Sequence, residues 1–192
     1  MHLIYIHGAN ASSTSFNYIR KHLPYPELLI DYHSHAGFAH NLAQMNGKIK
    51  KLKQVFFIAH SLGGVYALHL AHMYPTKVVG GITLSTPYGG SQEADMMSWF
   101  MPHNQLIKDI RPQSDVMASL TTMSVPANWH NVISRTGASP FIRKDNDGVV
   151  TVDSMMHLAD RMNIIEVDFN HFEVVLSDQV VSLISDQISQ LK

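Results

Sequence analysis

A serine at position 61 stands in a pattern that is typical of an activated nucleophile. It follows an apolar, β-favouring run at residues 55–58 and the dipeptide Ala59-His60, and Gly63 lies two residues after it. Small residues here allow a strand to turn sharply into a helix, which holds the serine exposed in a strained conformation. Alanine replaces the usual first glycine and adds only one methyl group. The stretch therefore predicts acyl transfer through a serine ester; the alternative is a serine-capped turn without chemistry.

A serine hydroxyl needs a base to take its proton, and the base needs an acid to orient it. In a strand–helix alternation, both should follow later strands, in the order serine, acid, histidine. Asp147 lies in Asp-Asn-Asp-Gly, downstream of a predicted strand at 131–134, and His171 follows one at 163–167. We predict Asp147 as the acid and His171 as the base. Asp145 is the second choice for the acid, and Asp168 is the third.

Each of these two motifs also has an ordinary structural interpretation. Asp-Asn-Asp-Gly is a common turn sequence, and a single histidine after a strand is usually a surface residue. The two motifs occur in the required order, each after a strand, and they therefore support one another.

Acyl transfer also requires hydrogen-bond donors for the negative charge that develops on the carbonyl oxygen. Losing one such donor typically costs about 3–4 kcal/mol of transition-state stabilisation. The backbone N–H of Leu62, directly after the serine, is one predicted donor. The second is expected from the loop after the first strand, His7-Gly8-Ala9-Asn10, with Ala9 as the better candidate. A simple strand-ending turn is the alternative for that loop.

Strand-like and helix-like segments alternate along the chain, which predicts an α/β fold with a mostly parallel sheet and helices on both faces. Strands are predicted at 3–6, 28–30, 54–58, 78–84, 131–134 and 163–167. A helix after the first strand should bury Phe16, Ile19 and Leu23, and further helices are expected at 38–53 and 62–74. A closing amphipathic helix is predicted with the apolar stripe Leu176, Val180, Leu183, Ile184, Ile188 and Leu191.

The segment from about 88 to 128 breaks this alternation. It contains glycines, prolines and the apolar run 96–101, within which Met97, Trp99 and Phe100 are predicted to bind substrate. Methionine suits adaptable apolar surfaces, so we interpret the segment as a cap or lid inserted into one domain that spans residues 1–192. The alternative is that it packs over the sheet.

Composition excludes several classes of function. The net charge is −1, which gives no basic surface for nucleic acid. No apolar run reaches the ~18 residues of a membrane span, and the first residues resemble a core strand, so neither a transmembrane segment nor a signal peptide is expected. The 13 histidines lack paired zinc-site spacing, and we predict no metal or cofactor. The lack of cysteine fits a reducing compartment, and we expect a cytoplasmic protein.

Together these motifs resemble the α/β-hydrolase superfamily, in particular bacterial triacylglycerol lipases and esterases. The resemblance covers nearly the whole chain and is carried by His7-Gly8, by residues 59–64, by Ser-Thr-Pro-Tyr-Gly-Gly-Ser at 85–91, by Asn-Asp-Gly-Val-Val at 146–150 and by Asn170-His171. It implies a trimmed version of that fold, because the chain starts at what would be its third strand. It also supports Ser61, Asp147 and His171 as a triad, with Ala9 and Leu62 as oxyanion donors.

The resulting hypothesis is a serine hydrolase that acts on a small ester or a lipid-like substrate. A thioesterase or acyltransferase with the same triad is the first alternative, because all three share the acyl-enzyme step. A non-catalytic hydrolase-fold protein that binds a lipid or a partner is the second, and a missing triad member would favour it. A peptidase is a further, weaker alternative.

Overall fold

Six parallel strands form one sheet in the computed structural model, which describes residues 1–91, 105–139 and 142–191. The strand order is β2-β1-β3-β4-β5-β6, so β3 lies inside the sheet and β6 lies at one edge. The strands are β1 (His2–Ile6), β2 (Glu27–Ile30), β3 (Val55–His60), β4 (Val78–Leu84), β5 (Trp129–Ser134) and β6 (Asn163–Val167). In this sheet, Ala59 pairs with Ile6 on one side and with Thr83 on the other.

Helices connect these strands. The α-helices are α1 (Asn17–Arg20), α2 (Phe38–Ile49), α3 (Leu62–Met73), α4 (Gln105–Asp109), α5 (Asp115–Ser119), α6 (Val152–Met155) and α7 (Asp178–Ser189). Short 3₁₀ helices lie at Ser13–Phe16, Ser34–Ala36, Leu120–Thr122, Met156–Arg161 and Glu173–Leu176.

The sheet is covered on both faces, as predicted. Alternate residues of a strand point to opposite faces, and in β1 Ile4 packs with the residues of α2 and α3 while Leu3 packs with α7. Helix α3 is buried along most of its length, which fits its apolar sequence on nearly every side. The apolar clusters on the two faces of the sheet fix the carboxyl ends of the strands, where the candidate site residues lie.

Two predicted helices differ from the structure. The first is shorter than expected, because a 3₁₀ turn precedes the single turn of α1 and Leu23 lies beyond the helix, although Phe16, Ile19 and Leu23 are all buried. The last begins only at Asp178, because the Ser177 side chain accepts a hydrogen bond from the Val180 N–H and caps it there. Leu176, which was predicted in its apolar stripe, is instead 59% exposed in the preceding 3₁₀ turn.

The described part of the irregular segment contains three short helices between residues 105 and 122, and these pack into the core. Leu106, Met117, Leu120 and Met123 are buried in the cluster that also contains α2 and α3. Residues 105–123 therefore pack against the helical layer that contains α2 and α3. The residues predicted to bind substrate in this segment, Met97, Trp99 and Phe100, lie outside the described residues.

Candidate active site

Ser61 occupies a sharp turn between β3 and α3. Its backbone has φ 52° and ψ −127°, a conformation that non-glycine residues rarely adopt. The Ser61 N–H donates to the Leu84 carbonyl at 2.8 Å, which continues the pairing of β3 with β4. A Cβ at Gly63 would lie 2.1 Å from the Ile6 carbonyl oxygen, and one at Gly64 would lie 2.0 Å from Thr86 Oγ1. Glycine is required at both positions, because α3 starts in close contact with the end of β1 and with the loop after β4.

His171 and Asp147 form a buried hydrogen-bonded pair. The Nδ1 atom of His171 lies 2.7 Å from Asp147 Oδ2, and both side chains are almost fully buried. A carboxylate only accepts hydrogen bonds, so Nδ1 carries the proton and Nε2 remains as the basic nitrogen. The His171 backbone N–H also donates to the Asp147 carbonyl at 2.9 Å, so a second hydrogen bond joins these two residues. The other two candidate acids, Asp145 and Asp168, are exposed.

Four donors surround the Asp147 carboxylate. Oδ1 accepts from the backbone N–H groups of Val149 and Val150 at 3.0 and 2.8 Å. Oδ2 accepts from His171 and, at 2.6 Å, from the Ser134 hydroxyl. Burial alone would raise the pKa of Asp147, but the hydrogen bonds and the nearby His171 outweigh it and hold the pKa below its usual value. The carboxylate therefore stays charged although it is buried.

The residue before the serine supports the histidine loop. His60 is buried, and its Nε2–H donates to the His171 carbonyl at 2.9 Å. The rings of His60 and His171 lie 4.7 Å apart. Burial, with repulsion from His171, lowers the pKa of His60 to about 3, so this ring is neutral near pH 7. A neutral ring here adds no positive charge beside His171.

The loop after β1 lies against the serine. A Cβ at Gly8 would lie 3.0 Å from Ser61 Cβ, so glycine permits this approach. The loop is fixed from the other side: His7 Nδ1–H donates to the Gly8 carbonyl at 2.8 Å, and the Tyr32 hydroxyl donates to the His7 carbonyl at 2.9 Å. The N–H of Leu62 lies in the first turn of α3, where backbone N–H groups have no partner within the helix.

An open cavity of about 260 Å³ lies between the serine turn, the histidine loop and the loop after β1. Ser61, His171 and Ala9 line it, and its outer wall is apolar and comes from the residues just after His171: Phe172, Val175 and Leu176. Phe172 is 67% exposed and contacts the His171 ring edge-on. The sequence pattern did not identify Phe172 and Val175 as wall residues, and it placed Leu176 in the apolar stripe of the last helix. The remaining lining residues are Gly8, Ala11, Thr14, Ser15 and His60.

Within residues 1–91, 105–139 and 142–191, no three histidine or acidic side chains come together in a group suited to a metal ion. In the same ranges, no helix has both the length and the apolar character needed to cross a membrane.

The fold is that of known hydrolases. A lipase-esterase related protein from Clostridium acetobutylicum has a TM-score of 0.68 at 14% identity, over 100% of this chain and 94% of that chain. The metagenomic carboxyl esterase MGS0156 has a TM-score of 0.76 at 16% identity, over 99% of this chain and 74% of that chain. The haloalkane dehalogenase DatA from Agrobacterium tumefaciens has a TM-score of 0.72 at 9% identity, over 100% of this chain and 90% of that chain. At these identities the likeness shows the fold alone. No curated protein matches the chain.

The sequence itself also matches a protein family. Residues 29–176, more than half of the 192, match the family described as serine aminopeptidase, S33. This match and the shared fold confirm the predicted trimmed α/β-hydrolase fold and the resemblance to esterases. The chain therefore belongs to this family of α/β hydrolases.

Proposed function

We propose that the protein is a serine hydrolase that cleaves carboxylic esters through an acyl-enzyme on Ser61. The observation that carries this proposal is the buried His171–Asp147 hydrogen bond of 2.7 Å beside the cavity that Ser61 lines. A strained serine, a histidine with one ring nitrogen held by a carboxylate and an adjoining cavity are the parts that acyl transfer needs.

In the proposed mechanism, His171 Nε2 takes the Ser61 proton while Ser61 Oγ attacks the ester carbonyl carbon. The N–H groups of Ala9 and Leu62 donate to the oxyanion of the tetrahedral intermediate. His171 then protonates the leaving alcohol, and the acyl group remains on Ser61. Water, deprotonated by His171, attacks this ester, and His171 returns the proton to Ser61 Oγ as the acid is released. Asp147 keeps the imidazole in one tautomer and stabilises its charged form.

Chemistry favours attack on a carbonyl over displacement of a halide. If Ser61 displaced a halide from an alkyl carbon, the product would be an ether. The same pair of His171 and Asp147 could not hydrolyse that ether, because it offers no carbonyl for water to attack. Attack on an ester instead forms a second ester, which the same groups can cleave. The dehalogenase likeness therefore contributes only the fold.

The described lining also favours an ester over the amino end of a peptide. An enzyme that removes amino-terminal residues has to bind a free ammonium group near its nucleophile, and an acidic side chain is the usual partner for such a charge. Among the described residues that line the cavity, none is aspartate or glutamate. Its wall instead carries apolar side chains such as Val175 and Leu176.

A cytoplasmic location is also part of the proposal, since the sequence has no cysteine.

A fluorophosphonate probe tests the nucleophile directly. The wild-type protein should be labelled and Ser61→Ala should not, while Ser189→Ala, an exposed serine at the end of α7, should be labelled like the wild type. Equal labelling of the wild type and Ser61→Ala would refute the proposal. An unlabelled wild-type protein would favour the non-catalytic alternative.

Three chromogenic assays then separate the reaction types. We expect hydrolysis of p-nitrophenyl butyrate to exceed that of butyryl-CoA and of alanine p-nitroanilide, compared as kcat/KM. A preference for butyryl-CoA would assign a thioesterase, and a preference for the anilide would assign a peptidase.

A further inference from the structure

A chain of two serines ends on the carboxylate of Asp147. Ser134, the last residue of β5, and Ser85, which follows β4, are both fully buried. Their hydroxyl oxygens lie 2.6 Å apart, and Ser134 Oγ lies 2.6 Å from Asp147 Oδ2. Neither serine lines the cavity, so neither is placed to contact substrate.

The direction of both hydrogen bonds follows from the charge on Asp147. A carboxylate only accepts, so the single Ser134 proton points to Asp147 Oδ2. The contact between the two serines must then be a donation from Ser85 to Ser134. Hydrogen bonds in such a chain polarise one another, so Ser85 strengthens the donor that Asp147 receives.

The backbone of Ser85 supports a specific role for this pair. Its φ is 53°, in the left-handed region that non-glycine residues rarely adopt. The Ser85 N–H donates to the Val132 carbonyl at 3.0 Å, which holds the residue in place between β4 and β5. Strained residues persist where the surrounding structure requires them. At Ser85 the strained backbone points the hydroxyl at Ser134.

We infer that Ser134, supported by Ser85, is a positioning residue for the triad. Oδ2 of Asp147 is shared by His171 and Ser134, and Oδ1 is held by the two backbone N–H groups. With all four donors present, the carboxylate has one orientation, and that orientation faces Nδ1 of His171. Without Ser134, Oδ2 loses a donor in a buried site, and the carboxylate is free to tilt away from the imidazole. This inference rests on the proposed function for its catalytic consequence, but not for its geometry.

The kinetic test compares Ser134→Ala with Ser85→Ala, using p-nitrophenyl butyrate and protein quantified by fluorophosphonate titration. We expect kcat to fall about ten-fold in Ser134→Ala, the size expected for one hydrogen bond to a charged group, with KM unchanged. Ser85→Ala should cause a smaller fall. In the background of Asp147→Asn, adding Ser134→Ala should have no further effect, because the carboxylate through which it acts is gone.

A second readout does not depend on turnover. The proton shared by His171 Nδ1 and Asp147 Oδ2 should give a far-downfield proton resonance, which His171→Ala abolishes and so assigns. Ser134→Ala should shift this resonance in a protein that remains folded by circular dichroism. If the serines merely joined β4 to β5, thermal stability would change and the resonance would not.

The two readouts distinguish failure of the inference from failure of the proposed function. A wild-type protein that turns over, with kcat and resonance unchanged in Ser134→Ala, would overturn the inference. A shifted resonance in a wild-type protein without any ester turnover would support the positioning role and would reject the esterase.

Discussion

The Nε2–H of His60 donates to the backbone carbonyl of His171 at 2.9 Å. The residue directly before the proposed nucleophile thus holds the loop that carries the proposed base. With the His171 N–H bonded to the Asp147 carbonyl, both polar groups of that peptide backbone are engaged. The position of the histidine is therefore set by its backbone as well as by the hydrogen bond of its ring.

Replacing His60 should lower activity through this contact. His60→Leu removes the donor and leaves a buried carbonyl unsatisfied, which typically costs about 1–3 kcal/mol of stability. Because the loop that carries His171 is then held less firmly, we expect kcat/KM to fall at least several-fold. His60→Gln, whose amide nitrogen can reach the same carbonyl, should restore most of the loss. The measurement is ester hydrolysis per titrated serine. Full activity in His60→Leu would show that the hydrogen bond is dispensable.

Gly137 is expected to be essential for the position of Asp147. A Cβ at Gly137 would lie 2.0 Å from the Asp147 carbonyl carbon, so the loop has to move by at least about 1 Å to relieve the contact. A misplacement of that size can cost about 100-fold in rate, and we expect kcat of Gly137→Ala to fall accordingly.

Gly47→Ala in α2 is the matched control, because nothing lies within 4 Å of its added methyl group. It should leave kcat unchanged and raise the free energy of unfolding by about 0.5–1 kcal/mol, as alanine favours a helix over glycine. Equal kinetics in the two variants would contradict the proposed importance of the Asp147 loop.

Acid should destabilise the fold through buried histidines. Burial lowers the pKa of His60 to about 3 and that of His69 to about 4, both below the ordinary value of 6.5. Below pH 6.5 these two histidines become protonated in the unfolded chain but stay neutral in the folded chain. The free energy of unfolding therefore rises with pH and falls on acidification. Each histidine should contribute a loss of about 1.4 kcal/mol per pH unit between pH 6.5 and its folded pKa.

Urea unfolding between pH 7 and pH 5 measures this slope. Replacing His60 or His69 by glutamine should reduce it by about one proton each, and an unchanged slope in both variants would contradict the assignment. At lower pH the depressed pKa of Asp147 acts in the same direction, because its contribution is present above its unfolded pKa and is lost as the carboxylate becomes protonated.

The apolar wall should determine the preferred acyl chain. A fully buried methylene contributes about 0.8 kcal/mol, or roughly four-fold in kcat/KM, so rates should rise from acetyl esters upward until the cavity is filled. Leu176→Ala should reduce kcat/KM for the longer esters and leave that for acetate unchanged.

Met73→Ala is the control for this series. Met73 is also an exposed apolar side chain, but it lies at the far end of α3 and does not line the cavity. A chain-length profile that responds to Met73→Ala as it does to Leu176→Ala would argue against acyl binding at this wall.

Sequence patterns predicted the strands and the longer helices because their apolar periodicity matches the buried faces. The same patterns placed Ser61, Asp147 and His171 after three different strands, and the structure brings all three to the carboxyl ends of the strands. Their catalytic roles stay predictions. Leu176 was misplaced because its spacing suits the helix stripe, whereas the Ser177 cap starts the helix later. Short 3₁₀ turns have no comparable period.

The residues that hold the proposed catalytic side chains in place were harder to predict. Ser134 and Ser85 are ordinary residues at strand ends, and their inferred positioning role rests on their contact across β4 and β5. A polar residue that closes an apolar strand is a weak signal for such a role. The pairing of His60 with His171 joins residues 111 positions apart in the chain, and it follows from the order of strands, which local patterns do not contain.

That strand order also gives the halves of the site different resistance to local opening. β3 is hydrogen-bonded on both sides, so its amides should exchange with solvent only when the whole sheet unfolds, whereas β6 is bonded on one side and can detach first. Ser61 follows the protected strand and His171 follows the edge strand. Gentle heating should therefore release His171, the proposed base, while Ser61, the proposed nucleophile, stays in place, and activity should disappear, reversibly, before the sheet melts.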